Sequence, residues 1–396
     1  MPNRPPASAI GRKRGNQHFR LASFTLLAGA AVSLAACNSS TPSTSTTKAP
    51  AASSSAAASL SSLEAAPTAT IPVSETGSSL LYPLFQKWAP SYTQLHSNIT
   101  ITPASTGSGT GISQASKGAV DIGASDAYLS PAQVQATPGL MNIPLAISAQ
   151  MINYNLPGFS GTLKLNGKLL AAIYEGKITN WNDPKIAALN PGAKLPNQKI
   201  VALHRSDGSG DTFLFTQYLS KQDPNGWGKT VQYGTTVAFP AISNSLAENG
   251  NGGMVQGCSA TPGCIAYIGV SYQSQTQADH LGQATLENGS GNYVALSPAS
   301  IAAEASSFAS STPASGAISL IDGTNAAQGY PIINYEYAIV LAQQPSATKA
   351  QAIRAALAWA MDPKGGSASS FLNAVNFQPL PPSALAVSEK LLSKIQ

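Results

Sequence analysis

The sequence predicts an α/β protein with largely parallel strands. Three stretches share one order: a short apolar strand, a Gly/Ser loop, then a helix-like run. They are TIPVS–ETGSS–LLYPLFQKWAPSY, NITITPA–STGSGTG–ISQASKGAV and QKIVALHR–SDGSGD–TFLFTQYLS. Strands that alternate with helices imply crossover connections, and these favour parallel pairing.

In the first unit Leu81, Leu84, Phe85 and Trp88 recur at helical spacing, and Pro83 falls in the first turn, where a missing N–H costs least. A further strand, DIGASDAYLS, has no such loop but carries Asp126 at its end. Ligands of open α/β sheets sit at the carboxyl ends of strands. All three loops fall there. Unpaired N–H groups and the helix dipole suit an oxyanion, and Gly lets the backbone approach it. Arg205 is the strong cation near these loops, and its fork fits two oxygens of one anion.

The chain has 396 residues, with 22 Lys and Arg against 17 Asp and Glu. Five of the basic residues (Arg4, Arg12, Lys13, Arg14, Arg20) precede or flank the apolar run LASFTLLAGAAVSLAAC, a signal-peptide pattern over residues 1–36. Without it, 17 basic residues balance 17 acidic ones, which argues against a nucleic-acid partner. Leu34-Ala35-Ala36-Cys37 resembles a bacterial lipobox. That resemblance implies cleavage before Cys37 and acylation of its thiol. Residues 38–70 are nearly all Ser, Thr, Ala and Pro, a composition too polar to fold, and read with Cys37 as a tether over 37–70. As a flexible coil it would reach roughly 30 Å. Cys258 and Cys264, around a Pro-Gly turn, are expected to pair as a disulfide in an exported protein. No further soft ligand lies near them to make a zinc site.

Nucleotide and hydrolase motifs fail. GTGISQASKG has no Gly-Lys-Ser/Thr step, STGSGTGIS and SDGSGDT miss the dinucleotide pattern, and no G-x-S-x-G elbow occurs. His204 reads as a wall or surface residue, and Trp181 and Tyr82 as packing residues. Anion loops without a nucleophile–base pair indicate binding without turnover, and no metal or cofactor is expected.

In combination, ETGSSLLYPLFQKWAPSY, GSGTGISQASKGAVDIGASDAYLS, LAAIYEGKITNWNDPKIAALNPGAKLP, HRSDGSGDTFLFTQYL and YPIINYEYAIV resemble the bacterial phosphate-binding proteins of the high-affinity ABC phosphate importer. The chain is most similar in pattern to the lipoprotein members of mycobacteria and their relatives. The resemblance implies a two-lobed periplasmic-binding-protein fold with two hinge strands and the ligand in the cleft. One lobe would be residues 71–146 plus 331–396, the other 147–330. It implies a monomer on the outer face of the membrane that hands phosphate to a permease. The implied ligand shell is Ser79, the Leu80 N–H, Ser108, Asp126, Arg205, Ser209, and the N–H groups of Gly210 and Asp211, with Asp207 orienting Arg205. Positions 79, 80 and 211 are often Thr, Phe and Thr in the family, so Asp211 replaces an expected hydroxyl.

The aspartates suit phosphate. Near neutral pH phosphate keeps a proton and sulfate does not. A buried Asp126 carboxylate accepts that proton's hydrogen bond and faces sulfate with an unpaired charge. Asp211 either accepts a second proton or caps its helix as an early-turn acid. The alternatives are another oxyanion (arsenate, sulfate or molybdate), a phosphatase on the same scaffold, or an adhesin or signalling role added to binding.

Overall fold

The computed structural model describes residues 60–323 and 326–396. Cys37, the signal pattern and most of the tether lie outside them. The tether expectation is corrected at its end. Leu60 is buried in the core, Leu63 and Ala66 pack against it, and Asn98 Nδ2 donates to the carbonyls of Pro67 and Ala69. Composition hid this because two leucines, Leu60 and Leu63, stand among serines and alanines.

Twelve strands follow in chain order: β1 (Ile71–Gly77), β2 (Ile99–Thr102), β3 (Ile122–Ser125), β4 (Leu140–Tyr154), β5 (Lys164–Leu165), β6 (Val201–Arg205), β7 (Ser245–Glu248), β8 (Cys264–Gly269), β9 (Gly282–Gln283), β10 (Thr285–Glu287), β11 (Tyr293–Val294) and β12 (Ile333–Leu341). The main sheet runs β2-β1-β3-β12-β4-β8-β6-β7, with β9 also on β4. A small sheet, β11-β10-β5, stands apart from this ladder.

Within the main sheet parallel pairing holds on the flanks, in β1–β2, β1–β3, β6–β7 and β6–β8, and in the small sheet β5 and β10 also pair in parallel. The centre of the main sheet is antiparallel: β12 pairs with β3 and β4, and β4 with β8. This sheet is therefore mixed, because β4 and β12 thread its middle without belonging to a strand–loop–helix repeat. β4 pairs with β12 through residues 140–149 and with β8 through 150–154, so one strand ties the two halves together. All 15 of its residues are buried, which explains its nearly continuous apolar run. The β4–β12 register slips at Glu336/Tyr337, which pair with Ala146 and Pro144 and leave Leu145 as an extra residue. Proline cannot donate to the ladder, and a bulge absorbs the defect.

The helix Tyr82–Leu95 runs through Pro90. Pro90 is exposed, as is Gln86 one turn earlier, so water can reach the carbonyl that Pro90 frees. Trp88 and Trp181 are core residues whose indole N–H groups donate to the carbonyls of Gly366 and Gly263. The ring of His204 stacks on Phe239 at 4.7 Å, as a wall residue would. The sulfurs of Cys258 and Cys264 stand 1.99 Å apart, linking the helix Gly250–Ala260 to the start of β8.

Candidate anion-binding site

The carboxyl ends of β1, β3, β6, β7 and β8 deliver the polar residues of one cluster. Arg205 closes β6, and its side chain is almost fully buried. Its backbone N–H donates to the Tyr267 hydroxyl at 2.9 Å. Nε and Nη2 donate to the two oxygens of Asp207 at 2.7 and 2.5 Å, and Nη1 donates to Asp211 Oδ2 at 2.9 Å. A guanidinium has five N–H donors, so one on each Nη is left over beyond these three bonds. Burial opposes its charge, but the hydrogen bonds and charges of Asp207 and Asp211 outweigh burial and raise its pKa. Burial likewise works to raise Asp207, yet Arg205 and the Gly250 N–H (3.1 Å) hold it below the ordinary carboxylate range. Asp207 thus holds the fork through two of its N–H groups.

Asp211 is the second residue of the helix Gly210–Gln222 and is fully buried. The capping acceptor is Ser209, whose Oγ takes the Thr212 N–H at 3.2 Å. The Asp211 carboxylate instead gathers side-chain donors: Arg205, Asn251 Nδ2 at 2.7 Å and Gln150 Nε2 at 3.2 Å. Burial raises its pKa, and Arg205, Gln150 and Asn251 counter only part of that.

The loop after β1 brings Ser78, Ser79 and Leu80, all buried. Ser79 Oγ accepts from both the backbone N–H and Nδ2 of Asn251, at 3.1 and 3.0 Å, which leaves its own proton free to donate. The Leu80 N–H differs from expectation: it points at Ser78 Oγ at 3.1 Å, which also takes the Leu81 N–H at 2.9 Å. Ser78 in turn donates to Asp126 Oδ1. Ser108 opens the helix Ser108–Ser116, donates to Asp126 Oδ2 at 3.3 Å, and accepts from the Asp126 N–H at 3.2 Å. Asp126 is buried, which raises its pKa. The charge of Asp211 adds to that rise, while hydrogen bonds from Glu336 and Ser78 and the charge of Arg205 counter it.

The loops meet across this cluster. Gly109 N–H donates to the Gly208 carbonyl at 2.8 Å. Gly107, at φ +88°, leaves no room for a Cβ: one would stand 2.4 Å from Asp207 Oδ2. A Cβ on Gly210 would stand 2.3 Å from Asp126 Oδ2, so the helix N-terminus abuts this carboxylate. Gly210→Ala is therefore expected to force the two apart and weaken anion binding more than tenfold. Titration of the variant alongside a melting curve checks this. Unchanged affinity in a folded Gly210→Ala protein would contradict the close approach.

All nine sequence-derived site residues thus fall in one cluster. Sequence reasoning missed Ser78, Gln150, Asn251, Tyr267 and Glu336. Asn251 had a signal: SLAE–NGNGG–MVQGCSA is a fourth strand–Gly loop–helix unit. Gln150 and Glu336 are polar residues inside largely apolar, buried strands, which signals a buried partner but does not name it. Among the described residues no group of three or more His, Cys, Asp or Glu is placed to hold a metal ion.

The chain resembles known proteins over most of its length. The PBP superfamily domain model matches residues 43–363. The phosphate-binding protein PstS of Xylella fastidiosa (strain 9a5c) is 33% identical over 319 residues, covering 80% of this chain and 84% of that protein. PstS3 of Mycobacterium bovis (strain BCG / Pasteur 1173P2) is 32% identical over 270 residues, covering 65% of this chain and 70% of its own length. Among solved structures, the phosphate-bound high-affinity periplasmic phosphate-binding protein PfluDING superposes with a TM-score of 0.63 at 19% identity, covering 81% of this chain and 93% of that one. The phosphate-binding protein of Stenotrophomonas maltophilia gives 0.61 at 20% identity, over 81% and 93% of the two chains. Those two likenesses show the α/β fold, and the matched domain model assigns it to the PBP superfamily. With the sequence relatives beside them, the chain belongs to the PstS phosphate-binding proteins of the PBP superfamily.

Proposed function

We propose that the chain binds inorganic phosphate outside the cytoplasmic membrane and delivers it to an ABC-type phosphate permease, without catalysing a reaction on it. The observation that carries this reading is the pairing of opposites in one buried cluster. Arg205, held by Asp207, keeps spare N–H donors for an oxyanion, while Asp126 offers an acceptor beside the N-terminus of the helix Gly210–Gln222. An anion that carries its own proton satisfies both. Ser79, Ser108, Ser209 and the N–H groups of Leu80, Gly210 and Asp211 would complete the shell. The Leu80 N–H would have to turn from Ser78 to the ligand. Asp211 would serve as a second acceptor only for a doubly protonated ion. Arsenate shares phosphate's shape and protonation and is expected to compete.

Two lobes, residues 71–146 with 331–396 and residues 147–330, would close on the ligand, with β4 and β12 as the strands between them. Residues 60–70 join the first lobe through Leu60. We assign a lipid anchor to Cys37, a monomeric state, and a disulfide to Cys258 and Cys264. Among the described residues no helix is long and apolar enough to cross a membrane.

Two measurements test these points. In bacteria lacking their own phosphate-binding lipoprotein but retaining the permease, the wild-type chain should restore high-affinity uptake of labelled phosphate. Cys37→Ala should shed the protein into the medium and lower uptake. No uptake with the anchored wild type would contradict delivery. For the disulfide, replacing both cysteines with Ser should cost about 2 kcal/mol in chemical denaturation, because the closed loop is short. Equal stability of the two proteins would remove it.

A further inference from the structure

Glu336 is the side chain that the binding shell does not use and the fold does not explain. It lies on β12, fully buried, at the register slip where Leu145 bulges out of β4. A bulge re-aims the side chains beside it. Here it accompanies a carboxyl group directed at the floor of the anion cluster. Glu336 Oε1 accepts from Asn334 Nδ2 at 3.1 Å and lies 2.5 Å from Ser148 Oγ. Asn334 Nδ2 also reaches the Asp126 carbonyl at 3.4 Å, which ties β12 to the end of β3. Glu336 Oε2 is buried and meets no protein donor. The Asp126 carboxyl group is a hydrogen-bonding neighbour of Glu336, and Oε2 is the Glu336 oxygen left without another partner for it.

Two facing carboxylate oxygens repel unless a proton lies between them. Ser148 has one proton for two acceptors, Oε1 and Asn334 Oδ1 at 2.7 Å, but Asn334 Nδ2 donates to Oε1 while Oε2 has no other partner, so the shared proton is assigned to Oε2, which donates to Asp126. Electrostatics and geometry agree. Burial alone raises the Glu336 pKa, and the nearby Asp126 raises it further. The hydrogen bond from Glu336 works in the opposite sense on Asp126 and favours its charged form. Asp126 also has two serine hydroxyls directed at it, as a carboxylate should.

We propose that Glu336 is a positioning residue for anion selectivity: as a neutral acid it donates to Asp126, holding that carboxylate charged and aimed as an acceptor for the ligand's own proton. This rests on the phosphate reading above. The pair shares one proton and carries one negative charge. The other groups that act on it are Arg205 and Asp211, both through Asp126, and the Tyr337 hydroxyl next along β12. Losing the shared proton puts a second negative charge behind the acceptor, and the anion is repelled. Affinity should therefore fall at alkaline pH, and phosphate binding should draw a proton back onto the pair.

The test compares phosphate titrations of the wild type, Glu336→Gln and Glu336→Met from mildly acidic to alkaline pH, in buffers of differing ionisation enthalpy. The differing enthalpies report proton uptake directly. Gln keeps a permanent N–H donor toward Asp126, since its amide oxygen belongs where Asn334 donates, and it cannot titrate. Met removes the titrating group without adding a polar one, and serves if Gln does not fold. Phosphate's own titration is common to all three proteins. Relative to either variant, wild-type affinity is expected to fall by up to about tenfold per pH unit once the pair titrates, the limit for one linked proton. Wild-type binding should also show extra proton uptake on that limb. Parallel alkaline limbs and equal proton uptake in wild type and variants would overturn the Glu336 assignment and leave phosphate binding intact. A wild type that binds no phosphate at any pH would instead overturn the reading on which the assignment rests.

Discussion

Arg205→Ala should abolish measurable phosphate binding. The guanidinium is the positive group at the centre of a buried cluster, and it touches both Asp207 and Asp211. Its removal takes away the fork that would grip two anion oxygens. It also leaves two carboxylates facing the same space without a counter-charge. Truncating one partner of a buried, hydrogen-bonded charge pair typically costs about 2–5 kcal/mol, so a loss near a thousandfold is expected. Arg205→Lys should recover little, because an ammonium cannot hold both Asp207 oxygens and an anion with fixed geometry. The Asp207 and Asp211 charges would then destabilise the fold as well, so equilibrium titration and denaturation should be run together. An Arg205→Ala protein that still binds phosphate with near wild-type affinity would move the ligand away from this cluster.

Asp126→Asn should change discrimination more than affinity. In the wild type the carboxylate can only accept, so sulfate, which has no proton to offer, meets a buried charge with nothing to satisfy it. Such an unmet group costs roughly 1–3 kcal/mol, and more when charged. The Asn side chain offers an N–H to the same point, so the barrier to sulfate should fall at least tenfold. Phosphate should bind somewhat more weakly, since its proton loses a charged acceptor. Competition of sulfate against labelled phosphate reads this ratio. A variant that excludes sulfate as well as the wild type would show that Asp126 does not set the preference. The pH dependence has a definite sign. Asp126 has a raised pKa, so protonation on the acid side removes the acceptor earlier than an exposed aspartate would, and phosphate preference should decline as pH falls.

What the sequence revealed follows from how local each signal is. The units around β1 and β6 were legible because a strand, a glycine loop and a helix-forming run lie within some twenty consecutive residues. Asp126 was legible because it ends a short apolar strand. The Arg205–Asp207 pair lies within three residues. By contrast, Asn251 follows β7, whose half-exposed SLAE lacks the apolar run that marks a strand. Gln150 finds Asp211 61 positions away, and Ser148 finds Glu336 188 positions away, so no local pattern joins them. The mixed sheet was likewise hidden. β4 and β12 are long apolar strands whose antiparallel pairing depends on the chain's return after nearly two hundred residues. The Leu80 N–H was expected to be free, and Ser78 takes it. A serine next to a predicted ligand is hard to interpret until its hydroxyl has a direction.

The most direct test is a calorimetric titration of the purified wild-type protein with phosphate, then with sulfate, near neutral pH. A buried arginine fork facing an acceptor-only aspartate predicts tight, saturable, one-to-one phosphate binding and no heat of binding from sulfate. Equal binding of both anions would mean that the carboxylates do not face the ligand, and the selectivity argument would fail. No phosphate binding would contradict the proposed function itself.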